Sequence, residues 1–120
     1  MVLSIYLLKD EKDCEIVYGS SIPSNLSEMA REAGIYDQLY SEEYLCNKIA
    51  KDIEKYIEHA VNDIKNRREH YKKFNPEKKN PIFFAYLDCD GFLKFLEGYL
   101  TACKNNPDSV IRIYENRMIE

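Results

Sequence analysis

An apolar run, Leu3 to Leu8, is followed by the charged stretch Lys9 to Asp13 and then by the β-branched and aromatic segment Glu15 to Tyr18. Two short apolar runs flanking a solvated turn predict a β-hairpin. Gly19, Ser20, Ser21 and Pro23 read as the connection out of it. Asn25 to Tyr36 then specifies a short helix at both ends. Asn25 is placed to accept from a first-turn amide, and Glu28, three residues on, to reach back as in a capping box. Leu26, Met29, Ala30 and Ala33 recur at helical spacing, and Gly34 sits where a left-handed stop is wanted.

From about Glu43 to Tyr71 the pattern predicts one long helix. Ile49, Ile53, Tyr56, Ile57, Ala60, Val61 and Ile64 fall three and four apart, opposite Lys51, Asp52, Lys55, Glu58 and Asp63. Asn75-Pro76 and Asn80-Pro81 bracket a polar stretch that cannot continue it. The apolar segment Ile82 to Leu87 is expected to be extended or plugged into the core. Asp90 is expected to cap a last helix carrying Phe92, Leu93, Leu96, Tyr99, Leu100 and Cys103 on one stripe. Asn105, Asn106 and Pro107 stop it, and Val110 to Tyr114 makes a final strand. The expected fold is α+β, a single globular domain over residues 1–120. A small antiparallel sheet, the hairpin plus the C-terminal strand, packs against two main amphipathic helices and one short capped helix.

The composition, 45% hydrophobic and 32% charged with four Gly and four Pro, is that of an ordinary globular domain. No apolar stretch approaches the ~20 residues that cross a bilayer, and the start lacks the leading positive charge and small-residue cleavage site of a signal peptide. A cytoplasmic protein without a membrane role is therefore expected. Cys14, Cys46, Cys89 and Cys103 form no Cys-x-x-Cys pair, and each reads as a small buried hydrophobe. Net charge is −4, yet residues 65–79 hold seven cations against two carboxylates, a local +5.

That basic island contains Arg68, Lys72, Lys73 and Lys78, interleaved with Tyr71 and Phe74. Cations attract phosphate and aromatic faces stack, which makes the island a candidate site for a small anionic ligand. The same charges also complement the negative end of a helix. An acidic remainder repels polyanions, so nucleic acid is not an expected partner. Tyr36 and Tyr40, with Tyr44 behind them, recur every four residues, as the edge of a core or as a contact surface. Asp88, Asp90, Gly91 and Glu97 match part of a calcium-loop pattern, but Tyr86 stands where the first carboxylate belongs. Asp90 and Asp88 are expected to serve a helix N-terminus and Glu97 to be an exposed helix residue, with a divalent-metal-dependent enzyme using the three carboxylates as a remote alternative. His59 and His70, eleven positions apart, are too distant to share one metal. No nucleophile elbow, phosphate loop, metalloprotease helix or dinucleotide fingerprint is present, so no cofactor is expected.

Three segments together resemble a small family of uncharacterised proteins encoded by phages, prophages and some bacteria. They are Asn-Leu-x-x-Met-Ala-x-Glu-Ala-Gly-Ile-Tyr at Asn25 to Tyr36, then Tyr71, Lys72, Phe74, Asn75 and Pro76, then Asp90, Gly91, Phe95, Glu97, Tyr99, Leu100, Ala102, Cys103, Pro107 and Asp108. The resemblance covers about residues 22–114. Relatives often carry Ile-Thr-His-Asn where this chain has Ile22-Pro23-Ser24-Asn25, so no role of that histidine transfers. Many have a tryptophan- and glycine-rich connector after Asn-Pro, where this chain has Glu77 to Ala85. The resemblance implies an accessory factor and supplies no activity. The expected function is a non-catalytic binding or interaction protein acting on a host protein. The alternative is a small-anion or nucleotide binder using the 65–79 segment, and a homo-oligomer is compatible with either.

Overall fold

The computed structural model describes residues 2–12, 15–23, 26–75 and 88–116. Its elements are β1 (Val2–Leu8), β2 (Ile16–Pro23), α1 (Ser27–Glu32), α2 (Tyr36–Tyr40), α3 (Glu42–Leu45), α4 (Ala50–Asn66), α5 (Arg68–Tyr71), a 3₁₀ turn (Lys72–Phe74), α6 (Cys89–Asn105) and β3 (Val110–Asn116). The strands form one antiparallel sheet in the order β2-β1-β3, so the fold is α+β. Two long helices, α4 and α6, pack on each other, and α6 also touches β2. Among the described residues, no helix is long and apolar enough to cross a membrane.

Alternation along β1 divides the sheet into two faces. Leu3, Ile5 and Leu7 are buried with Ile22 and Ile111, and join the core stripe of α4 (Ile53, Ile57, Ala60, Ile64) and of α6 (Phe92, Leu96, Tyr99, Cys103). β2 runs on through Gly19 to Pro23, where a connection was expected. Ile22 is fully buried opposite Leu3, and the Ser4 and Ser21 hydroxyls pair at 3.4 Å on the other face. Strand pairing thus overrides the local turn preference of Gly-Ser-Ser.

Helix α1 keeps its stop. Gly34 has φ +73°, its amide donates to Arg31 O, and Ile35 N reaches back to Ala30 O at 2.9 Å. That is a Schellman pair, closed by buried Ile35 and Ala30. At the other end Leu26 precedes the helix with no side-chain cap, and Asn25 lies outside the described residues, as does the apolar segment Ile82 to Leu87.

The single helix expected from Glu43 to Tyr71 is three. Ser41 caps α3 by accepting from Tyr44 N, and Ile49 then leaves helical geometry to bridge Val110. The amides of Ala50 and Lys51 donate to Ser109 O and Pro107 O, and Asp52 accepts from Ile49 N, so α4 starts on contacts with the connection between α6 and β3. Arg67, at φ −129° and ψ 42°, ends α4 and folds its guanidinium back onto Asp63. Tyr56, expected in the stripe, is exposed. Asp88, rather than Asp90, is the cap of α6, because its side chain accepts from Gly91 N at 2.9 Å. Cys89 and Cys103 are buried, but Cys46 is exposed and Cys14 lies outside the described residues.

Candidate functional site

The basic island is the first place to look for a ligand, and most of its described cations already face carboxylates. Lys65 pairs with Glu97 at 3.1 Å, Arg68 with Asp90 at 3.2 Å and Lys72 with Glu69 at 3.3 Å. Arg67 holds Asp63 through Nε and Nη2 at 3.1 and 2.8 Å, with Glu32 3.9 Å away. Lys73 is exposed with no carboxylate partner among the described residues, and Lys78 lies outside them.

The island's centre is a polar cluster that ties α1 to α4 and α5. Tyr71 is fully buried, and its hydroxyl donates to Asp63 Oδ2, with Glu32 O at 3.3 Å. His70 Nε2 lies 2.7 Å from Glu32 Oε2, and its ring sits edge-on to Tyr71 and Phe74. Hydrogen bonds from Arg67 and then Tyr71 pull the Asp63 carboxyl down to about 2. Burial, and then the Asp63 hydrogen bond, raises Tyr71. An ionised acid and a neutral phenol stapled together form a structural tie.

The other expected residues separate. Tyr36 and Tyr40 stack at 5.2 Å with Arg31 4.1 Å above the Tyr36 ring, both half-buried. Burial raises Tyr40. Tyr44 is on the next helix and accepts from Gln38 Nε2 at 3.2 Å, so the stripe is broken at Ser41. Asp88 caps α6, Asp90 faces Arg68 and Glu97 faces Lys65. Among the described residues no group of three or more His, Cys, Asp and Glu side chains could hold a metal. Burial pushes the Cys103 thiol up to about 12, which leaves it protonated and unreactive at neutral pH.

A shallow cleft of about 490 Å³ runs between β2 and α6, along Val17, Tyr18, Gly98, Thr101 and Asn105. Its acid, Glu97, is engaged by Lys65, and Thr101 Oγ1 donates to Glu97 O. Tyr18 stacks on the buried Tyr99 at 6.1 Å behind it, so the cleft is floored by core packing.

A surface not anticipated from the sequence lies on the outer face of the sheet. Ile16 is 57% exposed and Tyr114 56% exposed, while Tyr6 and Leu8 are half-buried beside them. Tyr6 packs on Tyr114 at 5.7 Å and lies across Gly19, where an added Cβ would sit 3.0 Å from the ring. The usable signal was the alternation within Leu3 to Leu8 and Val110 to Tyr114, which sends Tyr6 and Tyr114 away from the core once Ile5 and Ile113 face inward. Comparison of the chain with family profiles, with curated proteins and with solved structures finds no match.

Proposed function

We infer that this is a non-catalytic interaction protein that docks a protein partner against the outer face of its sheet. The observation that carries the reading is the pair Ile16 and Tyr114, more than half exposed on a face where Tyr6 and Leu8 extend the apolar surface. Tyrosines suit such a role, since each offers a large rigid contact area with a polar tip. The ion pairs across the basic island weigh against an anionic ligand there, because Lys65, Arg67, Arg68 and Lys72 would each have to give up a carboxylate first. In this reading the chain is an accessory factor encoded by a phage or mobile element, with a host protein as partner, as the family resemblance implies.

Three strands of about seven residues cover roughly 24 by 14 Å, or about 340 Å², well under the ~800 Å² per partner of a standard interface. A partner must therefore reach past the face or bind transiently. The test is a photo-crosslinking amino acid placed at Ile16, at Tyr114, or at Asn62 on the exposed side of α4, each in the full chain exposed to host lysate. Discrete adducts from the two sheet positions, absent from Asn62 and lost with Ile16→Lys in the Tyr114 probe, are expected. Adducts of equal yield from all three positions, or none from the sheet, would overturn the reading.

A further inference from the structure

The edge of β3 that no described strand covers adjoins the outer face, and backbone geometry shows how far the described residues leave it open. Ile49 bridges Val110, and Ala50 N donates to Ser109 O at 3.0 Å. Hydrogen-bonding direction alternates along an antiparallel strand, so Ile111, Ile113 and Glu115 turn their amides and carbonyls away from β1. Lys48 stands opposite Ile111, but its amide bends away to Leu45 O at 3.0 Å. The Ile111 carbonyl thereby loses a strand partner, and Arg112 Nη1 fills the place at 2.9 Å. The edge is sealed as far as Ile111 by the chain's own residues. From Ile113 onward no described strand pairs with it.

Beside this stretch lies a cleft of about 280 Å³ between α3 and β3, lined by Glu42, Leu45, Cys46, Ile111 and Ile113 among others. That is below the ~300 Å³ at which drug-sized ligand pockets begin, and it runs alongside unpaired backbone. An edge strand flanked by a helix, with a pocket for alternate side chains, is the arrangement by which an extended peptide is added to a sheet. Arg112 supplies polarity. It is half-buried, has no carboxylate partner among the described residues, and spends only Nη1 on Ile111 O, so Nε and Nη2 remain to donate.

We propose that the free edge of β3 from Arg112 to Asn116 is a strand-addition site for an extended peptide segment of a partner protein. The peptide runs antiparallel to β3. One of its residues exchanges both backbone hydrogen bonds with Ile113 and puts an apolar side chain into the cleft beside Leu45. The next residue stands opposite Arg112 on the outer face and carries a carboxylate, which takes the free guanidinium donors. The proposal rests on the interaction reading above and gives the partner's chemistry. It also supplies contact area that the sheet face lacks, because the added strand continues that face.

The test uses the full chain labelled with nitrogen-15, titrated with acetyl-Thr-Val-Thr-Val-Glu-amide or with the same peptide ending in Lys. The Glu peptide is expected to shift the amides of Ile113 and Glu115 and to bind about fivefold more tightly than the Lys peptide, the upper range of a partly exposed charge pair. Arg112→Glu is expected to reverse that preference without touching the backbone. Ile113→Pro is expected to abolish binding by removing an outward amide that β1 does not use. Equal affinity for the two peptides, shifts mapping elsewhere, or no shift at saturation overturns the proposal. So does sedimentation of the free chain as a dimer with protected edge amides, since a second copy would then own the edge. If the peptides fail while the Ile16 and Tyr114 adducts persist, the edge assignment falls and the docking reading stands.

Discussion

Replacing Tyr71 by Phe removes one oxygen from a fully buried ring and leaves its packing in place. That oxygen donates to Asp63 Oδ2 and lies 3.3 Å from Glu32 O, so it links α5 to α4 and α1. A hydrogen bond to a charged group contributes about 1.5–3 kcal/mol. The lower end applies here, because Asp63 keeps both bonds from Arg67 and its side chain is 26% exposed, so water reaches the vacated site. The expected loss is about 1.5 kcal/mol near neutral pH, which lowers Tm by about 5 °C in a chain of this size. Asp63 titrates near 2 in the folded protein against an ordinary 3.8. The unfolded chain takes up that proton first, so the contribution is complete above pH 3.8, falls with pH through the window down to about 2, and is gone below it. At the alkaline end the raised Tyr71 favours the neutral phenol. The wild type therefore loses stability as pH rises beyond 10, and the Phe variant is spared that loss. Urea unfolding of both proteins at neutral pH and near pH 2 measures the difference, and a double-mutant cycle with Asp63→Asn isolates the pair. A penalty below about 0.3 kcal/mol at neutral pH, or one unchanged in acid, would refute the assignment of Tyr71 as the donor that holds Asp63.

Asp88→Ala removes the acceptor for Gly91 N and should cost about 1 kcal/mol, whereas Asp90→Ala, which loses only an exposed pair with Arg68, should stay within about 0.5 kcal/mol. Thermal melts of the two variants side by side decide which aspartate caps α6. Gly34→Ala should cost about 1 kcal/mol from backbone conformation alone, since φ is +73° and nothing lies within 4 Å of an added Cβ. Gly34→Asn should recover part of that loss in chemical unfolding, because asparagine tolerates the left-handed region.

Legibility followed the range of the interaction that decides each feature. The core stripes of α4 and α6 and the hairpin were visible because burial of one face repeats locally at 3.6 or 2 residues. The Asp88 cap was missed by two positions, since two aspartates flank the same first turn and only backbone geometry at the entry chooses between them. The pairing of charges within 65–79 was only partly legible, for a different reason. Its charges are evident in sequence, and Asp63 and Glu69 stand within helical reach of Arg67 and Lys72, but the carboxylates that face Lys65 and Arg68 arrive from α6 and the one beside His70 from α1, 38 residues away.

By itself the sequence determined the short-range chemistry: an α+β pattern, a glycine stop after α1 that only a left-handed residue satisfies, and apolar stripes on two long helices. The tertiary structure decided where those elements break and what they leave open. Ile49 leaves its helical period where it bridges Val110, and Arg67 leaves helical geometry at φ −129° and ψ 42° with its guanidinium on Asp63. Ile16 and Tyr114 stay exposed because the described helices contribute their apolar stripes to the core on the other face of the sheet. Local patterning says that a residue is apolar; only the packing of distant elements decides whether anything is left to cover it.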